Sequence, residues 1–361
     1  MSEYKLYGSE FSLYSGKVRC YLKKKDIPYQ EIRSTINVYR KFIIPRTGVR
    51  YVPVLQTPQD QVFQDTTVII DELEKRFTET SVYPNSPTQK LVSLLLEVYG
   101  DEWLVIPAMH YRFYHKQENK IYGDFGSIIS PKLPYFIRAW LGEKIGNKFE
   151  GFVPKLGITE HNRLAIEASY EQLLADLNTH FKQHDFLLGG RPCIADFGFI
   201  GPLYAHLYRD PAPGKLMRKI APEVAKWVER MISDDIPTAE LLANDEIPET
   251  LLPVLKRMAS EHLPVLVDTD KKLDQWRNEN PDADEIDRYI GTHTFSIEGV
   301  EEQRVVLPYC LWMFQRPVDF YQSLNDTESI DALLNSVGFG DELKNGLSNR
   351  LARPNNLLKF A

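Results

Sequence analysis

The chain has 361 residues, 43% of them apolar, and a formal net charge of −7. This length suits two domains and a smaller third one. The acidic balance argues against nucleic acid and anionic membranes as partners, because each would require a basic face on the protein.

Strand-like and helix-like segments alternate along residues 1–82. Strand composition is found at residues 4–7, 29–33, 52–55 and 61–63. Apolar residues recur at helical period in residues 15–25, where Ser15 is the expected N-cap, and in residues 66–77. The order β-α-β-(α)-β-β-α predicts a small α/β domain.

A proline-containing linker at residues 83–87 leads into a helical region. We expect an all-helical domain over residues 88–235, built from the segments 90–116, 130–148, 159–184, 195–208 and 215–232. The first segment is expected to be one long helix that is disturbed near Pro107. The fourth is apolar on all sides, which predicts a buried central helix.

Residues 240–361 form a C-terminal extension that is expected to be mostly helical, with a short strand at residues 292–297 and a docked tail at residues 350–361. Residues 300–320 are rich in side chains that are typical of functional sites: Arg304, Tyr309, Trp312, Gln315 and Arg316. We expect this segment to cover a substrate cleft or an interface, and the sequence leaves both alternatives open.

Four segments resemble the glutathione transferase family. Residues 12–19, SLYSGKVR, are similar to the SPFSRKVR opening of the family's first helix, and residues 52–55, VPVL, resemble its segment with a cis-proline. Residues 65–74, DTTVIIDELE, resemble ES-x-x-I-x-x-Y-L-E, and residues 186–197, FLLGGRPCIADF, resemble FLLGDRPSLADF. The resemblance implies a bacterial-type member with a thioredoxin-like α/β domain, an all-α domain and a long C-terminal extension.

The resemblance also implies a binding site for glutathione as co-substrate. The backbone of Val52, beside a cis Pro53, would pair with the extended tripeptide, whereas an ordinary trans proline at a sheet edge is the alternative. Thr66 and Asp65, at a helix start, would hold the γ-glutamyl carboxylate and ammonium, and a plain N-cap is the alternative. Arg40 is a candidate for the glycyl carboxylate, together with Lys41 and Arg46, unless these are only solvated loop cations.

Ser12 matches the position that activates the glutathione thiol in the family. A donated hydroxyl hydrogen bond and the nearby helix N-terminus both favour the thiolate. Lowering the thiol pKa by about two units requires about 2.7 kcal/mol. Serine in place of cysteine favours conjugation over mixed-disulfide chemistry, and Tyr7 and Tyr14 are the alternative hydroxyls.

A small hydrophobic electrophile is expected to bind between the domains, beside the helix near residue 100. Trp103 and Tyr111 are the candidate lining residues, although aromatic side chains at helical spacing are also typical of a core. The resemblance implies a homodimeric detoxification enzyme that conjugates glutathione to electrophiles. The alternative function is that of a glutathione-binding or structural homologue without strong catalysis, or of a glutathione-dependent peroxidase or isomerase.

We expect no metal and no cofactor other than the co-substrate. Cys20, Cys193 and Cys310 are far apart, no CxxC motif occurs, and the histidines do not form a three-ligand set. The start of the sequence lacks an apolar signal region, and no run of about 18 apolar residues could span a bilayer. A cytoplasmic protein is therefore expected.

Overall fold

The computed structural model describes residues 3–361, and its first 80 residues form a four-stranded sheet with helices packed against it. The strands are β1 (Tyr4–Gly8), β2 (Tyr29–Arg33), β3 (Val54–Gln56) and β4 (Val62–Gln64). The helices are α1 (Leu13–Lys24), α2 (Ile36–Val38), α3 (Ile44–Thr47) and α4 (Thr66–Glu74). The strand order is β2-β1-β3-β4, with β1 parallel to β2 and β3 antiparallel to both of its neighbours. This is the predicted thioredoxin-like α/β arrangement.

The register of the sheet decides which loops meet. Tyr7 of β1 pairs with Val54 of β3, and Val54 pairs with Gln64 of β4. Because β3 runs antiparallel to both neighbours, its first residue meets the last residues of β1 and β4. The loops that follow β1 and β4 therefore lie at the same end of the sheet as the loop that precedes β3.

Eight longer helices follow: α5 (Pro87–Val98), α6 (Val105–Tyr114), α7 (Ile121–Ile129), α8 (Tyr135–Glu150), α9 (Arg163–His180), α10 (Ile194–Ala205), α11 (Pro211–Ile220) and α12 (Pro222–Ile232). As predicted, α10 is buried on nearly every side. Asp196 in its first turn accepts hydrogen bonds from the backbone of Cys193 at 3.0 Å and from the Trp227 indole at 3.0 Å. This carboxylate fixes the start of the central helix.

The predicted disturbance in the long helix is present, and it lies just before Pro107. A π-helical turn at Tyr99–Trp103 separates α5 from α6. Pro107 is the third residue of α6 and lacks the N–H that would pair with the carbonyl of Trp103, the last residue of the π-helical turn. At Gly100 the backbone touches α10 so closely that a Cβ would lie 2.6 Å from the carbonyl carbon of Gly198.

Helices α7 and α8 cross with their backbones in contact. A Cβ on Gly126 would lie 1.8 Å from the carbonyl oxygen of Arg138, and a Cβ on Gly142 would lie 2.0 Å from that of Tyr122. Only glycine fits these positions without a shift of one helix. The two helices therefore form a hairpin whose separation is set by glycine.

The extension is part of the same hydrophobic core as the preceding residues. Its elements are α13 (Leu252–Arg257), α14 (Leu263–Glu279), β5 (Thr292–Ile297), β6 (Val300–Val305), α15 (Pro308–Gln322), α16 (Glu328–Val337), α17 (Glu342–Asn345), β7 (Leu351–Ala352) and β8 (Lys359–Phe360). The predicted strand at residues 292–297 is confirmed, and it pairs with β6. Within residues 3–361, no helix combines the length and the apolar character that a membrane crossing requires.

Candidate functional site

Ser12 lies in the loop after β1 and is the N-cap of α1. Its Oγ accepts a hydrogen bond from the backbone N–H of Ser15 at 3.2 Å. The prediction that Ser15 caps this helix was wrong, since the helix already begins at Leu13 and the buried Ser15 Oγ instead accepts from the Ser9 N–H at 3.2 Å. An accepting hydroxyl still has its own proton to donate. Ser12 can therefore cap the helix and donate to a sulfur atom at the same time.

The Val52-Pro53 peptide bond is cis, as the VPVL segment predicted. It comes directly before β3, whose paired residues begin at Val54. Pro53 is buried and Val52 is half-buried. The register described above places this peptide at the end of the sheet where β1 and β4 finish.

Asp65 follows β4 and is the N-cap of α4. Its Oδ1 accepts from the Thr67 N–H at 3.0 Å, so the capping alternative is also realised. The backbone of Asp65 has φ of +89°, which side-chain-bearing residues rarely adopt. Thr66, the first residue of α4, is 4% exposed. The carboxylate and the first N–H groups of α4 thus lie at the same end of the sheet as Ser12.

The extension covers this carboxylate. The hydroxyl of Tyr309, in α15, donates to Asp65 Oδ2 at 2.5 Å, and Nη1 of Arg353 lies 3.3 Å from the same oxygen. The Asp65 and Arg353 side chains are only 9% and 7% exposed. Burial, followed by the charge of Asp65, raises the pKa of Tyr309 well above its ordinary value, so the phenol remains a donor. The segment that the sequence singled out, residues 300–320, lies over the predicted glutathione site.

Two further contacts join the end of the extension to the first domain. Nη2 of Arg353 donates to Gln64 Oε1 at 2.9 Å, and Nδ2 of Asn356 donates to the Thr47 carbonyl at 2.9 Å. The Arg353 guanidinium lies 5.0 Å from the centre of the Trp312 ring. The predicted docked tail therefore exists, and it is docked on the candidate site.

A buried network of charges lies behind these contacts. Nζ of Lys17, in α1, is 2.6 Å from a Glu97 oxygen and 2.5 Å from an Asp101 oxygen. Arg316, in α15, reaches Glu97 at 2.6 Å and Asp71 at 2.9 Å. Burial opposes ionisation of Glu97, but Lys17 and Arg316 outweigh it and hold its pKa below the ordinary value. Burial raises the pKa of Asp101, although Lys17 opposes the shift.

A second polar cluster fills the space beside Trp103. The Cys310 thiol donates to Glu102 Oε2 at 3.1 Å. Burial raises the pKa of Glu102 to about 7 and that of the Cys310 thiol well above its usual range, which disfavours a thiolate there. The buried guanidinium of Arg304 lies 5.5 Å from the centre of the Trp103 ring. Sequence reasoning did not find this cluster, because its members are about 200 positions apart.

The two residues predicted to line the electrophile site belong to the core. Trp103 is 2% exposed and its indole donates to Glu261 Oε2 at 3.1 Å. Tyr111 is 5% exposed and packs on Tyr170, with ring centres 5.3 Å apart. Neither side chain has the access to solvent that a lining role requires. Trp103 and Tyr111 are therefore core residues, which was the alternative that the sequence left open.

The remaining sequence candidates are spread over the first domain. Arg40 is exposed in the π-helical turn Tyr39–Ile43, and Lys41 beside it is exposed as well. Arg46 is paired with Asp60 at 3.1 Å. The role of these cations in holding the glycyl carboxylate stays a prediction, and solvated loop cations stay the alternative for Arg40 and Lys41.

The two alternative hydroxyls have acceptors within the protein. Tyr7 donates to Gln56 Oε1 at 2.8 Å, and Tyr14 donates to the Asp101 carbonyl at 3.4 Å. Burial, with nearby Glu102 and Asp101, raises the pKa of Tyr14 well above its ordinary value. Ser12 therefore remains the hydroxyl best placed beside the start of α1.

A surface groove of about 540 Å³ lies between α9, α13 and the β5–β6 turn. Asp176, Lys256, Arg257 and Glu298 are among its lining residues, and Ser12 and Asp65 are not. Arg257 is paired within the groove to Glu261 at 3.1 Å and to Glu298 at 2.7 Å. The groove is thus separate from the predicted glutathione site.

The described part of the chain contains no group of three or more His, Cys, Asp or Glu residues that could hold a metal ion. Cys20, Cys193 and Cys310 are buried free thiols.

Comparisons with known proteins agree with this architecture. The family model of the glutathione S-transferase N-terminal domain matches residues 6–81, and that of the C-terminal domain matches residues 155–235. A search of curated proteins finds no match to this sequence.

A search of solved structures finds matches of low sequence identity. A glutathione S-transferase from Rhodospirillum rubrum is 15% identical, with 68% of this chain and 96% of the other covered and a TM-score of 0.42. The Tau class glutathione S-transferase of mango, Mangifera indica, is 17% identical, with 69% and 94% covered and a TM-score of 0.43. A glutathione S-transferase-like protein from Pseudomonas syringae is 19% identical, with 66% and 69% covered and a TM-score of 0.43. On the two family models that it matches, with the mixed sheet and helical region that carry them, the chain belongs to the glutathione S-transferase superfamily.

Proposed function

We propose that the protein is a glutathione transferase that binds glutathione at the sheet end formed by Ser12, Val52-Pro53 and Asp65. The pairing of Tyr7 with Val54 and of Val54 with Gln64 carries this proposal. It brings together three loops that are far apart in sequence, together with the N-termini of α1 and α4. Two helix N-termini at one place favour a ligand with negative charge, such as a thiolate and a carboxylate.

In the proposed reaction, the hydroxyl of Ser12 donates to the glutathione sulfur and so favours loss of the thiol proton to water. The thiolate then attacks the electrophilic carbon. With an aryl halide, a C–S bond forms, the C–halogen bond breaks and halide leaves with the bonding electrons. Holding both reactants at one site lowers the activation barrier, because the entropy lost in bringing them together has already been lost on binding.

A second candidate is a glutathione-binding protein without strong conjugating activity. It is favoured by the contacts of Tyr309 and Arg353 with Asp65, because glutathione bound without this carboxylate would lack a contact that orients its thiol beside Ser12. A homodimer and a cytoplasmic location, which the family resemblance implies, are part of the first proposal.

The test has two steps. Isothermal titration calorimetry with glutathione in the millimolar range measures binding, and absorbance of the conjugate formed from chlorodinitrobenzene measures turnover. The first candidate predicts both binding and turnover, with turnover reduced in Ser12→Ala and retained in Ser9→Ala, a control in the same loop. Binding without turnover selects the second candidate. If neither the wild-type protein nor an Arg353 variant binds glutathione, both candidates are wrong.

A further inference from the structure

We propose that residues 351–360 act as an intramolecular ligand of the glutathione site, with the Arg353 guanidinium in the place of the glutathione ammonium on Asp65. This inference rests on the proposed function, since it concerns the same site. It adds a means of regulation, because glutathione has to displace a segment of the protein's own chain before it can bind.

The segment is a short hairpin, here called the C-terminal hairpin. Leu351 of β7 pairs with Phe360 of β8, and Ala352 pairs with Lys359. Residues 353–357 form the tip, in which Asn355 and Asn356 adopt the left-handed backbone with φ of 55° and 66°. Asparagine tolerates this conformation better than most side-chain-bearing residues. The sequence thus favours a tight tip that presents Arg353 and Asn356 to the first domain.

The tip and glutathione would compete for the same atoms. Oδ1 of Asp65 is used by the Thr67 N–H, and Oδ2 is held by the Tyr309 hydroxyl and Arg353. An ammonium ion would require one of these oxygens and the space that the guanidinium now fills. Since the Asp65 side chain is 9% exposed, a second cation does not reach it while the hairpin is in place.

Exchange of one cation for another is physically accessible. Removing Arg353 alone would leave a buried carboxylate without its cation, which is strongly unfavourable. When the glutathione ammonium arrives, Asp65 again has a positive partner, so no buried charge is left uncompensated in the bound state. Arg353 therefore stays on Asp65 in solvent alone, and it is displaced by a ligand that brings its own cation to this carboxylate.

The base of the hairpin is held independently of the site. The Leu351 N–H donates to Gln315 Oε1 at 2.9 Å, and the Ile286 N–H donates to the Leu358 carbonyl at 2.8 Å. Arg350 pairs with Asp319 on the surface of α15. The hydrogen bonds and ion pairs described above join the tip to Thr47, Gln64 and Asp65 through the side chains of Arg353 and Asn356. The tip can therefore leave the site while the rest of the extension stays folded.

The experiment compares the glutathione dissociation constants of three full-length proteins by calorimetry: wild type, Arg353→Gln and Arg350→Gln. Arg353→Gln removes the competing cation, and we expect about tenfold tighter binding, as for a receptor released from a largely closed state. Arg350→Gln removes a cation three residues away that contacts α15, and we expect an unchanged dissociation constant. Equal or weaker binding by Arg353→Gln would overturn the inference and leave the proposed function standing. Absence of binding by all three proteins would overturn both.

A second measurement uses the unmodified protein, in case a variant folds poorly. Hydrogen–deuterium exchange of residues 351–360 is recorded with and without saturating glutathione. Displacement of the hairpin predicts faster exchange when glutathione is present. Unchanged or slower exchange in this segment, with glutathione bound, would contradict the inference.

Discussion

The ammonium group of Lys17 lies 2.6 Å from a carboxylate oxygen of Glu97, and the two side chains are 0% and 1% exposed. Lys17 belongs to the first domain and Glu97 to the first helix of the second. Arg316 of the extension contacts the other Glu97 oxygen at 2.6 Å. One buried carboxylate therefore joins three parts of the chain, and it has both of its cations only when all three are assembled.

The role of Arg316 can be tested through stability. Arg316→Met leaves Glu97 with Lys17 but removes the cation of Asp71, so we expect a loss of about 2–4 kcal/mol in the free energy of unfolding. Urea unfolding followed by circular dichroism measures this loss. Arg350→Met breaks an exposed pair instead and is expected to change the free energy by less than about 1 kcal/mol. Equal effects of the two variants would show that the buried network is not specially important.

The capping and donating roles of Ser12 can be separated by substitution. Threonine keeps both an acceptor and a donor, whereas an ionised aspartate caps the helix but has no proton to donate. We expect Ser12→Thr to retain turnover and Ser12→Asp to lose it roughly 10–100-fold, the value of one hydrogen bond to a charged group. Both variants should unfold at temperatures close to wild type. Full activity in Ser12→Asp would remove the hydroxyl from the mechanism.

His180 makes a prediction about pH. Burial, with a smaller effect of His184, lowers the pKa of His180 to about 4, while the hydrogen bond to the Phe186 carbonyl opposes the shift. In the unfolded chain, His180 becomes protonated near pH 6.5, whereas in the folded protein it stays neutral down to about pH 4. Because only the unfolded state gains the proton in this range, His180 lowers the free energy of unfolding as the pH falls from 6.5 to 4. Between pH 7 and pH 5, wild type should lose roughly 1–2 kcal/mol more than His180→Gln.

Denaturant unfolding at the two pH values measures the difference, with the exposed His161→Gln as control. This control measures what the loss of an exposed histidine does to the free energy of unfolding at each pH. If His180→Gln and wild type lose equal stability, His180 titrates alike in the folded and unfolded chains.

The α7–α8 hairpin tests a steric argument. Alanine favours a helix over glycine by about 1 kcal/mol, but a Cβ at position 126 would lie 1.8 Å from the carbonyl oxygen of Arg138. We expect the clash to dominate, so that Gly126→Ala destabilises the hairpin by about 2 kcal/mol or more. This destabilisation would be measured as faster amide hydrogen exchange in residues 121–150. Gly151→Ala, whose Cβ would lie 3.4 Å from its nearest neighbour, should leave exchange unchanged.

Local sequence patterns predicted the features of the fold and site that depend on residues close together in the sequence. The cis peptide at Pro53, the helix start at Asp65 and the buried α10 were all foreseen from short motifs. The N-cap of α1 was misplaced by three residues, because Ser12 and Ser15 are both good caps and only the contact of Ser15 with Ser9 decides between them.

The covering of the site could not be predicted in this way. Tyr309 is 244 positions from Asp65, and its hydroxyl meets that carboxylate only because α15 packs against α5. The unusual richness of residues 300–320 in aromatic and cationic side chains was the available indication, and it could not distinguish a cleft from an interface. Trp103 and Tyr111 were misassigned because a core stripe and a substrate pocket have the same composition.

The π-helical turn at Tyr99–Trp103 has a mechanical consequence. Three successive side chains of this turn point to different parts of the molecule: Asp101 contacts Lys17, Glu102 contacts Cys310 and Trp103 contacts Glu261. Three neighbouring positions thus hold the stretches of chain around residues 17, 261 and 310 against the same turn. Arg353 takes part in none of these three contacts, so they stay in place when the hairpin tip leaves Asp65.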